Sequence, residues 1–150
     1  MALDWPFVKY YEYGNRCQKL VRLVVSLRKT RIDQYAPLPR GQSIINIAVL
    51  EDDLYLQQRF APIFKGWDCV QQVFTCSDNA EFLACSDSHH IDILLADLDL
   101  PDGRGNQSIK ALSTKSGKAI TIVISSSMDS TVILQAIADG AVGYIHKGDD

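Results

Sequence analysis

The stretch ILLADLDLPDGRG, residues 93–105, decides how this chain is read. It opens on an apolar run of strand length, continuing the segment IDILLA over residues 91–96. That run leads directly into Asp97, Asp99 and Asp102, and Pro101, Gly103 and Gly105 then break any regular element. A run with no polar alternation is expected to be buried on both faces, as in a parallel sheet. In such a sheet the chemistry gathers at the carboxyl ends of the strands, which is where the carboxylates fall.

Outward from this strand, apolar runs alternate with amphipathic ones. IINIAVL (44–50) reads as a strand, followed by Leu56, Phe60, Ile63 and Phe64 at helical spacing. VQQVFT (70–75) is a second strand and NAEFLAC (79–85) a short helix. After the strand over 91–96 come a helix at NQSIKALS (106–113), a strand at AITIVIS (119–125), a helix at STVILQAIADG (130–140) and a strand at VGYIH (142–146). The pattern predicts an α/β fold with a doubly wound, five-stranded parallel sheet.

Composition allows one sizeable core: 150 residues with 47% hydrophobic content. No apolar run reaches the ~18 residues of a membrane span, and the N-terminus lacks the basic start and apolar core of a secretory signal. A cytoplasmic protein is the expectation. Cys17, Cys69, Cys76 and Cys85 show no CxxC spacing, and His89 and His90 are distant from them in sequence, so free thiols are expected rather than a zinc site.

Charge divides the chain. Residues 1–40 hold eight Lys or Arg against three acids, a net of +5, whereas residues 41–150 hold seven against fifteen, a net of −8. QYAPLPRGQS, punctuated by Pro37, Pro39 and Gly41, marks a linker placed at 34–43. The expected organisation is an extension over 1–33, that linker, and an α/β domain over 44–150.

Polar residues at the expected strand ends form a short set. The first strand delivers Glu51, Asp52 and Asp53, the third Asp97 and Asp99, the fourth Ser125, Ser126 and Ser127, and the fifth His146 and Lys147. Carboxylates about 4 Å apart repel by roughly 4 kcal/mol per pair at an effective dielectric near 20. A cation is therefore expected among them. Hard oxygen ligands favour Mg2+, and Lys147 supplies a second positive charge.

This constellation resembles the receiver domain of two-component response regulators over about residues 44–148. The resemblance matches Glu51 and Asp52 to the family's acidic pair, Asp97 to the phosphorylated aspartate, Ser125 to the hydroxyl residue and Lys147 to the lysine. Pro101 and Gly105 match the loop, and GAVGYIHK (140–147) the segment around the switch aromatic, Tyr144. It implies that Asp97 takes a phosphoryl group from a histidine kinase. Asp52 and Asp97 would ligate Mg2+ with the backbone carbonyl of Asp99, Glu51 would help directly or through a water, and Lys147 would pair with a phosphoryl oxygen. Ser125 and Tyr144 would form the switch. Gly103 or Gly105 is expected to supply a positive φ, and Asp102 to be solvated turn chemistry rather than a ligand.

Two departures shape the expected output. Gly148, not Pro, follows Lys147, which resembles the subgroup with a LuxR-type helix-turn-helix output. The sequence stops at Asp150, where a receiver would continue into a fifth helix, so the reading is a truncated regulator or another segment covering that face. NRCQKLVRLVVSLRKTR (15–31) places Cys17, Leu20 or Val21, Val24 and Leu27 on one helical face of a basic amphipathic helix, preceded by the aromatic residues Trp5, Phe7, Tyr10, Tyr11 and Tyr13. Docking in place of the fifth helix, swapping onto a partner chain, an acidic surface, an anionic membrane and a largely unstructured extension all remain open for it. A homodimer is expected. DNA would be reached only through an output domain outside these residues, because the basic segment has no second helix at helix-turn-helix spacing.

Two rival readings differ in class. LLADLDL and KGDD resemble elements of haloacid-dehalogenase-type phosphatases, but Pro101 stands where that family prefers Thr or Val, and Glu51 and Asp52 would have no role. A degenerate receiver acting only as a dimerising or partner-binding module is the other. The expectation is a signalling protein, not an enzyme.

Overall fold

A computed structural model describes residues 45–65 and 70–147 of the protein. The expected extension and linker lie outside the described residues. Strands β1 (Ile45–Leu50), β2 (Val70–Cys76), β3 (Ile93–Asp97), β4 (Ile120–Ser125) and β5 (Ala141–His146) form one parallel sheet in the order β2-β1-β3-β4-β5. Helices α1 (Leu54–Lys65), α2 (Asn79–Ser88), α3 (Asn106–Lys115) and α4 (Ser130–Ala138) connect them. The order reverses at β1, so β1 and β3 open a crevice at their carboxyl ends.

The continuous apolar pattern of β3 has the expected cause: all five of its residues are buried. Alternate residues of the strands feed two separate cores. On one face Leu50, Leu94, Ala96 and Val123 pack with Phe82 of α2, Ile109 and Leu112 of α3 and Ala136 of α4. On the other, Ile47, Val49, Ile93, Leu95, Ile122 and Ile124 cluster with Phe60 and Phe64 of α1. This two-faced burial holds the ends of β1 and β3 in register, pairing Leu50 with Ala96 one residue before Glu51 and Asp97.

Helix starts are written locally. Asp53 accepts from the Tyr55 amide at 2.8 Å, Asp78 from the Glu81 amide at 2.7 Å and Asp129 from the Thr131 amide at 2.8 Å. A small hairpin, Asp99–Leu100 paired antiparallel with Gly103–Arg104, stands between β3 and α3. Its turn places Gly103 at φ 136°, as expected for one of the two glycines.

Candidate functional site

Lys147 organises the carboxyl edge of the sheet. β4 and β5 pair through Ser125 and His146, and the Lys147 amide then donates to the Ser125 carbonyl at 2.7 Å. This throws the lysine side chain back across the sheet. Its Nζ lies 2.8 Å from Asp97 Oδ2 and 3.0 Å from Glu51 Oε2. Both carboxylate side chains are nearly inaccessible, at 4% and 3% exposure. Asp52 is exposed, yet Glu51, Asp52 and Asp97 each offer an oxygen within 4.8 Å of the others.

One ammonium thus bridges two of the three clustered carboxylates, leaving the cluster two negative charges in excess when all are ionised. Burial, with the neighbouring Asp97 adding to it, raises Glu51 from 4.5 to about 7 despite the opposing hydrogen bond from Lys147. Burial would lower Lys147, but its hydrogen bonds to Asp97 and Glu51 outweigh that and raise it. The donor set consists of hard oxygens at close quarters and fits Mg2+.

Two predictions follow from this imbalance. Glu51 binds its proton more tightly folded than unfolded, so its contribution to stability is fully present below about 4.5 and lost as pH rises through about 7. Chemical denaturation across that window, without divalent ions, should show a decline that Glu51→Gln flattens. Lys147→Met leaves Glu51 and Asp97 facing each other without a cation. A loss of about 2 kcal/mol is expected at pH 7, smaller than for a fully buried pair because Glu51 can take up a proton, and added Mg2+ should narrow the difference.

The hydroxyl and the aromatic lie beside this cluster. Ser125 is fully buried and its Oγ accepts from the Ser127 amide at 3.1 Å. Tyr144 Oη donates to the Ser127 carbonyl at 2.8 Å, joining the aromatic to the loop that follows β4. The Asp99 side chain turns away to Arg104, at 2.9 Å, while its amide donates to Asp97 Oδ1 at 3.2 Å.

Sequence reasoning missed one residue and one contact here. Gln57 of α1, buried, donates to the Glu51 carbonyl and to Ser77 Oγ at 3.2 Å, so the ends of β1 and β2 are held together. Asp102 is exposed in the hairpin turn and outside the acidic cluster, as expected, but its carboxylate also accepts from the first amides of α2. The signal for Gln57 lies one helical turn past the acids; none marks the Asp102 contact.

This geometry finds its counterpart among known proteins. Residues 47–150 match the response regulator receiver domain family. The chain belongs to that family. Receiver domains carry Mg2+ in an acidic pocket of the kind formed here by Glu51, Asp52 and Asp97. The receiver is 28% identical over 107 residues to the transcriptional regulatory protein DcuR of Escherichia coli (strain K12), covering 69% of this chain and 44% of that protein. It is 25% identical over 104 residues to the transcriptional regulatory protein CitT of Bacillus subtilis (strain 168), covering 69% and 46%. The receiver therefore spans less than half the length of these curated relatives. In fold it is similar to a CheY-like receiver domain protein of Methanospirillum hungatei JF-1, with a TM-score of 0.65 at 20% identity, covering 72% of this chain and 85% of that one. The response regulator domain of Thermotoga maritima CheB gives a TM-score of 0.61 at 22% identity, covering 69% and 78%.

Proposed function

We propose that this receiver accepts a phosphoryl group on Asp97 from a histidine kinase and uses it to switch a transcriptional output. The observation that carries the reading is Lys147 Nζ bridging Asp97 and Glu51, with Asp52 beside them. An Asp97 oxygen attacks the phosphorus of a phosphohistidine. The P–N bond breaks, the imidazole leaves with its electron pair and takes up a proton, and an aspartyl phosphate forms. Lys147 shifts from the carboxylate oxygen to a phosphoryl oxygen. Asp52, Asp97 and the Asp99 backbone carbonyl would hold Mg2+, with Glu51 assisting directly or through a water. Bound there, Mg2+ offsets charge on the transferring group.

Ser125 and Tyr144 form the switch. On phosphorylation the Ser125 hydroxyl donates to a phosphoryl oxygen and draws in the loop containing Ser127, to which Tyr144 is already hydrogen-bonded. The transcriptional relatives support an output that controls transcription, and Gly148 in place of Pro supports a LuxR-type helix-turn-helix. DNA would be contacted through such an output domain, outside these residues, by a cytoplasmic homodimer. Among the described residues no helix is long and apolar enough to cross a membrane.

Incubation with Mg2+ and acetyl phosphate, followed by intact mass, tests the transfer. One added phosphoryl group, dependent on Mg2+ and lost in alkali as an acyl phosphate is, supports the reading. Continuous turnover of a phosphate ester without an adduct of that kind would replace it with a phosphatase.

A further inference from the structure

The hairpin that follows Asp97 is fastened at its tip to a different helix. A helix leaves its first four amides without intrahelical partners. In α2 the Phe82 amide makes the first intrahelical bond, to the Asp78 carbonyl at 3.1 Å, and the Glu81 amide before it goes to the Asp78 side chain at 2.7 Å. Those of Asn79 and Ala80 are taken by the distant Asp102, whose Oδ1 accepts from the Asn79 amide at 3.0 Å and whose Oδ2 accepts from the Ala80 amide at 2.9 Å. The Asn79 and Ala80 amides hold the Asp102 carboxyl below its ordinary range.

Asn79, buried within the protein, completes the fastening. Its Nδ2 donates to Asp102 Oδ1 at 3.2 Å and to the Arg104 carbonyl at 3.1 Å, and its Oδ1 accepts from Ser108 of α3 at 2.6 Å. The tip of the hairpin, its second strand and two helices therefore meet at one side chain. At the base of the same hairpin the Asp99 amide donates to Asp97 Oδ1, and the Gly105 amide to the Leu98 carbonyl at 2.9 Å.

We infer that Asp102 is a positioning residue for phosphoryl transfer: by fixing the hairpin tip to α2 it keeps the Asp99 amide on Asp97 Oδ1 and so orients the acceptor carboxylate. This rests on the reading of Asp97 as the acceptor. Asp102 touches no reacting atom. It acts through a backbone whose displacement by about an ångström is enough to slow a positioned reaction.

The test compares Asp102→Ala, Asp102→Asn and Ser108→Ala in the full chain. Ser108→Ala removes a buried hydrogen bond to Asn79 but leaves every bond to Asp102, so it controls for lost stability alone. Asp102→Ala should slow phosphorylation by acetyl phosphate roughly tenfold and raise the Mg2+ concentration for half-maximal rate. Asp102→Asn, with one acceptor oxygen in place of two, should fall between it and the wild type. Ser108→Ala should lower the melting temperature with the rate unchanged. Hydrogen exchange without Mg2+ gives a readout independent of transfer: in Asp102→Ala, amides of 98–105 and of Asn79 and Ala80 should exchange faster together, with β3 unaffected. Equal slowing in Asp102→Ala and Ser108→Ala, or unchanged exchange at 98–105, would overturn the inference. A wild-type chain that takes up no phosphoryl group would instead overturn the functional reading, and exchange would still report whether Asp102 fixes the hairpin.

Discussion

Asp97→Asn is expected to abolish phosphoryl uptake from acetyl phosphate while leaving the protein folded. Asp97 is 4% exposed, its Oδ2 on Lys147 and its Oδ1 on the Asp99 amide. An amide of the same shape fits this space, but neither of its polar atoms is an anionic nucleophile, and its NH2 group must face one of two donors. Its loss of charge also leaves Lys147 to Glu51, so the cluster's excess of negative charge falls from two to one. The melting temperature should therefore stay within a few degrees of the wild type, roughly the span of a 1 kcal/mol change. Intact mass after incubation with Mg2+ and acetyl phosphate reads the result, and an undiminished adduct in the variant would place the acceptor elsewhere.

Gly105→Ala is expected to be the most damaging small substitution near the site. A Cβ at Gly105 would stand 2.0 Å from the Asp97 carbonyl oxygen and 3.1 Å from Leu98 Cα, all backbone atoms that no rotamer change can move aside. Relief requires α3 to withdraw from the end of β3, breaking the hydrogen bond from the Gly105 amide to the Leu98 carbonyl. A loss of roughly 3 kcal/mol is expected, the upper end for overpacking, since backbone and not side chain must yield. Urea denaturation measures it. Gly103→Ala is the contrast: nothing lies within 4 Å of its Cβ, so its cost comes only from the φ of 136°. Equal stability of Gly105→Ala and the wild type would contradict the close approach of α3 to Asp97.

The sheet was legible because strands buried on both faces leave uninterrupted apolar runs, and the site was legible because parallel strands gather their carboxyl ends. Glu51, Asp52, Asp97 and Lys147 meet for that reason, although they are scattered through the sequence. Boundaries were less legible where tertiary bonds override pattern. Helix α2 runs on to Ser88, past the end of its apolar residues, with Lys115 of α3 donating to the Ser86 carbonyl and pairing with Asp87 at 2.9 Å. Strand β3 begins at Ile93, not Ile91, and just before it the Asp92 side chain accepts from the Asn46 amide at 2.8 Å. Gly105 illustrates a further limit: a glycine needed for close packing at φ −60° looks in sequence like one needed for a turn. The contact of Asp102 with α2 joins positions 22 and 23 residues apart, and no local pattern announces it.

Borohydride trapping of the phosphorylated protein tests the account most directly, because reduction of an aspartyl phosphate leaves homoserine at the position that carried it. After phosphorylation with acetyl phosphate and Mg2+, fragmentation mass spectrometry should find homoserine at position 97 and nowhere else. Homoserine at position 52, phosphate on Ser125, or no trapped product from folded, Mg2+-supplied protein would contradict the assignment of Asp97 as the acceptor.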